Sequence, residues 1–115
     1  MVKHVAGLAS TGLRDWLIQR VSAVIIGLYS LFLLAFLWFH PDLQFGDWQG
    51  LFQQQWFRMF TLVTVVSLVG HAWIGMWTVA TDYLHPVSVR LVFEVAVILA
   101  LLVYLVWAIE IVWGL

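Results

Sequence analysis

Residues 57–80 read FRMFTLVTVVSLVGHAWIGMWTVA and carry one formal charge, on Arg58. A helix needs roughly 20 mostly apolar residues to cross the hydrocarbon core of a bilayer. Two further runs meet this requirement, residues 21–39 before the quoted run and residues 91–115 after it. The sequence therefore predicts an all-α integral membrane protein with three transmembrane helices.

The composition agrees with insertion into a membrane. Of the 115 residues, 64% are hydrophobic and 10% are charged, and a soluble domain this small could not stay dissolved with so few charges. The formal net charge of −1 argues against a nucleic-acid partner. The absence of cysteine excludes iron–sulfur ligation, thioether-linked haem and disulfides within the chain. Because no repeat or linker divides the sequence, we expect a single domain over residues 1–115.

The loops predict the orientation of the chain. Basic residues concentrate in cytoplasmic loops. Three of them precede the first span, namely Lys3, Arg14 and Arg20. The 81–90 loop ends in Arg90, whereas the 40–56 loop carries two aspartates. We therefore expect the N-terminus and the 81–90 loop to be cytoplasmic, and the C-terminus to lie outside.

The 40–56 loop contains large apolar residues at helical spacing. They are Trp48, Leu51, Phe52 and Trp56. This spacing indicates either a short helix lying in the membrane interface or a loop anchored by its aromatic residues.

The polar residues of the second span share one helix face, because they follow steps of three and four. This polar stripe comprises Thr64, Ser67, His71, Gly75, Thr78 and Asp82. The opposite side is bulky and lipid-like, with Leu62, Val65, Val69, Trp73 and Met76. A polar group in a membrane helix needs a partner, so we expect the polar stripe to face protein or a cofactor.

His71 lies at the centre of the polar stripe, roughly 14 Å from the predicted cytoplasmic end. An ionisable side chain at this depth is a functional hypothesis, and a neutral imidazole is a standard axial ligand for haem iron. The small residues Gly70, Ala72 and Gly75 would let a porphyrin or another helix approach. Haem ligation, a proton relay and a simple interhelical hydrogen bond all fit this position.

The other histidines of the chain fall outside the predicted membrane core. They are His4, His40 and His85. The chain thus offers one axial ligand at depth, and a six-coordinate haem would take its second ligand from another chain. That chain is either a second copy, which brings two His71 residues together, or a different protein.

Three residues near the cytoplasmic side have candidate roles. The Tyr83 hydroxyl can donate to a quinone carbonyl, and the adjacent Asp82 can orient the quinone or move protons. The same two residues also fit an interfacial anchor and a helix end. Arg20 can pair with an anionic group such as a haem propionate, or it can mark the membrane boundary.

The segment 71–77, HAWIGMW, followed after four residues by Asp82 and Tyr83, resembles the signature of a known family. The family is that of the hydrophobic membrane anchor of bacterial succinate dehydrogenase, which is respiratory complex II. Its pattern is a membrane histidine, ten intervening residues and Asp-Tyr. Chain length, three spans and the Trp-Gly-Leu ending are also similar, and the likeness is most specific over residues 70–90.

The resemblance implies a bacterial inner-membrane protein that pairs with a second three-helix anchor, the cytochrome b556 anchor, in a heteromeric helix bundle. The two anchors together bind one haem b, with His71 as this chain's axial ligand to the iron and Arg20 near a propionate. Tyr83 would donate a hydrogen bond to ubiquinone, with Asp82 beside it. The remainder of the quinone site would come from the cytochrome b556 anchor and the iron–sulfur subunit.

The resemblance also implies that this chain carries no catalytic residue of its own. The flavoprotein subunit oxidises succinate, and electrons pass through iron–sulfur clusters to ubiquinone. Three alternatives remain at this point. They are an anchor of fumarate reductase, a homodimeric membrane b-type haem protein, and a purely structural assembly subunit.

Overall fold

The computed structural model describes residues 11–115 and shows four α-helices in this range. They are α1 (Thr11–Phe39), α2 (Phe45–Phe52), α3 (Gln55–Tyr83) and α4 (Val87–Gly114). Of these, α1 from Gly12 onward, α3 and α4 are each long and apolar enough to cross a membrane. The predicted all-helical class with three spans is confirmed for the described residues. Lys3 and His4, which entered the sequence argument, lie outside them.

The three long helices extend beyond the hydrophobic runs. They contain 29, 29 and 28 residues, so each is about 42–44 Å long and exceeds the roughly 30 Å hydrocarbon core. The largest difference is in α1, which begins ten residues before residue 21. These added turns carry Arg14, Asp15 and Arg20, whose polarity suits the headgroup region. Hydropathy marks where the lipid core begins, whereas the helix itself continues past that point.

The helix α3 occupies the centre of the bundle, because it packs against both α1 and α4. On the α4 side, Val69 and Trp73 line one groove together with Ile98, Leu101 and Leu102. The bulky side of this helix, which the sequence describes as lipid-like, therefore faces α4 at these positions. A neighbouring apolar helix and lipid tails accept the same side chains, so hydropathy alone does not separate them.

A mostly aromatic cluster around Phe57, which is fully buried, joins all four helices. The Phe57 ring centroid lies 5.5 Å from that of Tyr29 on α1 and 4.9 Å from that of Phe52 on α2. The Tyr29 and Thr61 hydroxyl oxygens are 2.8 Å apart and hydrogen-bonded. Val112 of α4 also belongs to this cluster. The end of the bundle opposite the 84–86 connection is therefore held by aromatic packing together with polar bonds.

Residues 45–52 form the short helix α2, which agrees with the helical interpretation for Trp48, Leu51 and Phe52, whereas Trp56 belongs to α3. Its apolar side faces the protein: Phe52 is buried, and the Trp48 ring centroid lies 5.1 Å from the Phe52 centroid. The Gln49 side-chain amide donates to the Leu115 carbonyl over 3.1 Å, which ties α2 to the end of α4. Contacts within the chain thus explain the spacing of these aromatic residues.

The packing around Phe57 predicts that Phe57→Ala destabilises the fold by roughly 3–5 kcal/mol, because it leaves a cavity where several rings meet. The control is Phe39→Ala, since Phe39 is 77% exposed at the end of α1. Thermal unfolding of the purified protein in mild detergent measures both changes. Equal unfolding temperatures for the two variants would contradict the assigned role of the cluster.

Candidate functional site

His71 lies in the middle of α3, two residues past the helix midpoint at residue 69, and its side chain is partly buried. The two other histidines within residues 11–115 lie outside the helices. His40 follows the last residue of α1, and His85 lies in the connection between α3 and α4. Within the described range, His71 is therefore the one histidine placed at membrane depth.

A buried serine of α1 holds the His71 ring. Ser22 is 4% exposed, and its Oγ lies 3.0 Å from His71 Nδ1. The same hydroxyl donates to the Gln19 carbonyl over 3.1 Å. These contacts satisfy polar groups of two neighbouring helices without water, as the membrane interior requires.

The second ring nitrogen of His71, Nε2, has no hydrogen-bond partner among residues 11–115. The described residues do not fully bury this nitrogen, so it can be reached from outside the chain. The imidazole thus has one nitrogen fixed by the protein and one nitrogen available. This arrangement is the one that an axial ligand requires, because a single imidazole nitrogen coordinates the metal.

The polar stripe is covered in its first half and open in its second. Thr64 is 4% exposed and lies between the two positions at which α1 hydrogen-bonds to α3. One turn beyond His71, a Cβ added to Gly75 would meet nothing within 4 Å. Thr78 and Asp82 are exposed. We call the segment from Gly75 to Asp82 the open half of the stripe; it offers room for a flat group or a partner helix beside His71.

The structure distinguishes Gly70 from Gly75, which the sequence treats alike. A Cβ added to Gly70 would lie 3.9 Å from Ile18 Cγ2, so Gly70 lies against α1. On this side the two helices border a cleft of about 390 Å³. It is lined by Arg14, Asp15, Ile18, Gly70, Trp73, Ile74 and Trp77. Gly70 therefore lies beside α1 at a distance that would also accept a Cβ, whereas Gly75 faces open space.

Asp82 and Tyr83 are the last two residues of α3, and both are exposed. Tyr83 is 75% exposed, which leaves its hydroxyl free to meet a molecule from outside the chain. It lies twelve positions after His71, or about 18 Å along the helix axis. The two predicted sites thus lie on one helix but do not touch.

Arg20 is not brought to His71 within this chain. Its guanidinium carbon lies 5.5 Å from the centroid of the Trp16 ring, and its side chain is exposed. Ser22 faces α3, and residues two positions apart on a helix point about 200° apart. Arg20 therefore lies on the far side of α1 from His71, and its contact with a propionate stays a prediction.

The sequence argument missed Ser22, which lies within the apolar run of residues 21–39. A usable signal existed: a hydroxyl inside a membrane helix needs a partner, and His71 needs one as well. The partner could not be identified from spacing, because the two residues are 49 positions apart and on different helices. The same holds for the pair formed by Tyr29 and Thr61.

Comparison with known proteins gives a consistent set of relatives, although no family model matches the sequence. A protein of Coxiella burnetii is 43% identical over 102 residues, which cover 89% of each chain. A protein of Rickettsia bellii is 31% identical over 93 residues, covering 79% of this chain and 73% of the relative. One of Rickettsia prowazekii is 29% identical over 87 residues, covering 74% and 68%. All three are named succinate dehydrogenase hydrophobic membrane anchor subunit.

Proposed function

The chain belongs to the succinate dehydrogenase hydrophobic membrane anchor subunits, and on that premise we propose that it supplies one axial ligand to a haem b and part of a ubiquinone-reduction site. The complex would pass electrons from succinate to ubiquinone in a bacterial inner membrane. The observation that carries the proposal is His71 inside α3, with Nδ1 bonded to Ser22 and Nε2 available.

The residues around His71 fit a haem. The missing side chain of Gly75 leaves space beside the ligand, one turn along the helix. When bound, haem supplies one-electron transfer chemistry that side chains lack. His71 would hold the iron through Nε2. Arg20 stays the proposed partner of a propionate, although its guanidinium points away from His71 in this chain. Since the described residues offer one histidine at this depth, the second axial ligand would come from a partner chain.

The open half of the stripe supports a partner helix on that side. The Asp82 carboxylate is exposed in this chain, and an uncovered carboxylate beside lipid is unfavourable. Thr78 is also exposed, but its hydroxyl donates to the Ile74 carbonyl of the same helix over 2.9 Å. A second three-helix anchor, the cytochrome b556 anchor, would cover both side chains and contribute the other haem ligand. Iron–sulfur and flavoprotein subunits would carry the remaining redox steps, in keeping with a sequence that has no cysteine.

The exposed end of α3 supports the quinone site. A lipid-soluble quinone reaches its site from the bilayer, so the site belongs near a helix end. There the Tyr83 hydroxyl would donate a hydrogen bond to a quinone carbonyl oxygen, and it would hold this oxygen more strongly as negative charge develops on it. Asp82, the preceding residue, would orient the hydroxyl or relay a proton. With the 84–86 connection on the cytoplasmic side, this site would face the iron–sulfur subunit.

We expect His71→Ala to lose the haem from the complex or to retain it weakly, because the iron loses a ligand. The measurement is the reduced-minus-oxidised absorption spectrum of the complex purified in mild detergent, with haem and co-purifying subunits quantified. The control is His85→Ala, which removes an exposed histidine in the connection between α3 and α4. A full b-type signal in His71→Ala would exclude His71 as the ligand. One haem per two copies of this chain, without other subunits, would favour the homodimer.

We expect Tyr83→Phe to keep the haem and to lower quinone reduction by roughly 10-fold to 100-fold, because it removes one hydrogen bond to an oxygen that gains charge. Steady-state succinate:quinone reductase activity measures the effect, with the haem spectrum as the check on assembly. Tyr104→Phe is the matched control, since Tyr104 is exposed on α4. Unaltered quinone turnover in Tyr83→Phe would remove Tyr83 from the site.

A further inference from the structure

We propose that Ser22 is a positioning residue for the haem ligand. Its hydroxyl accepts a hydrogen bond from His71 Nδ1–H and thereby selects the tautomer and ring orientation that leave Nε2 free for iron. The inference rests on the proposed function, in which His71 is the axial ligand, and it assigns a role to a residue outside the family signature.

The number of available protons determines the direction of the bond. A serine hydroxyl has one hydrogen, and Ser22 lies within hydrogen-bond distance of both the Gln19 carbonyl and His71 Nδ1, at 3.1 and 3.0 Å. A carbonyl oxygen only accepts, so the hydroxyl hydrogen goes to Gln19. The Ser22 oxygen then accepts from a proton on Nδ1. Both bonds form in this arrangement.

The opposite arrangement makes one bond fewer. If the hydroxyl donated to Nδ1, the Gln19 contact would lose its hydrogen and the imidazole proton would sit on Nε2, the atom that must coordinate iron. A hydrogen bond is stronger in a low-dielectric interior than in water, so the arrangement with two bonds is favoured there. Ser22 thus favours the histidine form that can bind a metal.

The position of Ser22 makes this contact rigid. The side chain is 4% exposed, so water cannot easily replace it, and its bond to Gln19 restricts its rotation. Close by, Ile18 of α1 lies within van der Waals distance of the position a Gly70 Cβ would occupy, at 3.9 Å. The hydroxyl and the ring therefore meet in a region where α1 and α3 approach each other.

This contact would have a consequence for a metal held at Nε2. A hydrogen-bond acceptor at the ring nitrogen that does not bind the metal makes a histidine ligand more basic. Such contacts change metal affinity by about 10-fold to 100-fold. A more basic ligand stabilises ferric iron relative to ferrous iron. Ser22 should therefore lower the reduction potential of the haem, and its loss should raise that potential.

The test uses the whole complex, purified in mild detergent, with three substitutions at one position. Ser22→Ala removes the acceptor, Ser22→Cys keeps the shape with a weak acceptor, and Ser22→Thr keeps the hydroxyl. Ser30→Ala is the matched control, because Ser30 is exposed on the same helix. The readouts are haem per complex, the midpoint potential from a redox titration, and the ferric haem EPR spectrum.

We expect Ser22→Ala to lower the affinity of the site for ferric haem relative to ferrous haem about 10-fold. For a one-electron couple, this change raises the midpoint potential by about 59 mV. Ser22→Cys should give a smaller shift in the same direction, whereas Ser22→Thr and Ser30→Ala should match the unmodified complex. Loss of haem in Ser22→Ala with retention in Ser22→Thr would equally support the role. If Ser22→Ala fails to assemble, the comparison of Ser22→Cys with Ser22→Thr decides.

The inference would be overturned if Ser22→Cys, and Ser22→Ala where it assembles, had the midpoint potential and EPR spectrum of the unmodified complex. This failure is distinct from failure of the proposed function. Haem retained in full by His71→Ala would overturn both. Haem lost in His71→Ala, together with unaltered Ser22 variants, would leave His71 as the ligand and remove only the role of Ser22.

Discussion

A polar group inside a bilayer finds no water, and the arrangement of α1 against α3 follows from this constraint. The two helices meet at two hydroxyl-based contacts, Ser22 with His71 and Tyr29 with Thr61. On α1 the two residues are seven positions apart, or two turns, so they occupy the same face. Apolar packing alone would tolerate many rotations of one helix about the other, whereas two hydrogen bonds select one.

The sequence predicts the number and place of the long helices well, because hydropathy reports contact with lipid directly. It locates the beginning of α1 poorly, since a helix can continue through the headgroup region where hydropathy falls. It also misses the neighbour of Val69 and Trp73. Their contact with α4 is invisible to hydropathy, because an apolar helix and lipid tails offer similar surroundings.

In the candidate site, too, some residues can be predicted from the sequence and others cannot. His71 stands out in the sequence because a deep ionisable residue is rare and unfavourable without a role. Ser22 does not stand out, because its importance arises only when α1 is laid against α3, 49 positions away in the chain. Arg20 is conspicuous by charge, yet the helix turns it away from His71. Helix rotation, which spacing within one segment cannot supply, determines which polar residues meet.

Any group that binds in the open half of the stripe would also stabilise the packing of this chain. A group that binds the packed arrangement of α1 and α3, but not the separated helices, stabilises that arrangement in proportion to the logarithm of its concentration over its dissociation constant. The supply of haem and partner would then set how much of this chain persists in packed form in the membrane. A copy that inserts without them would keep the Asp82 carboxylate and the space beside Gly75 uncovered.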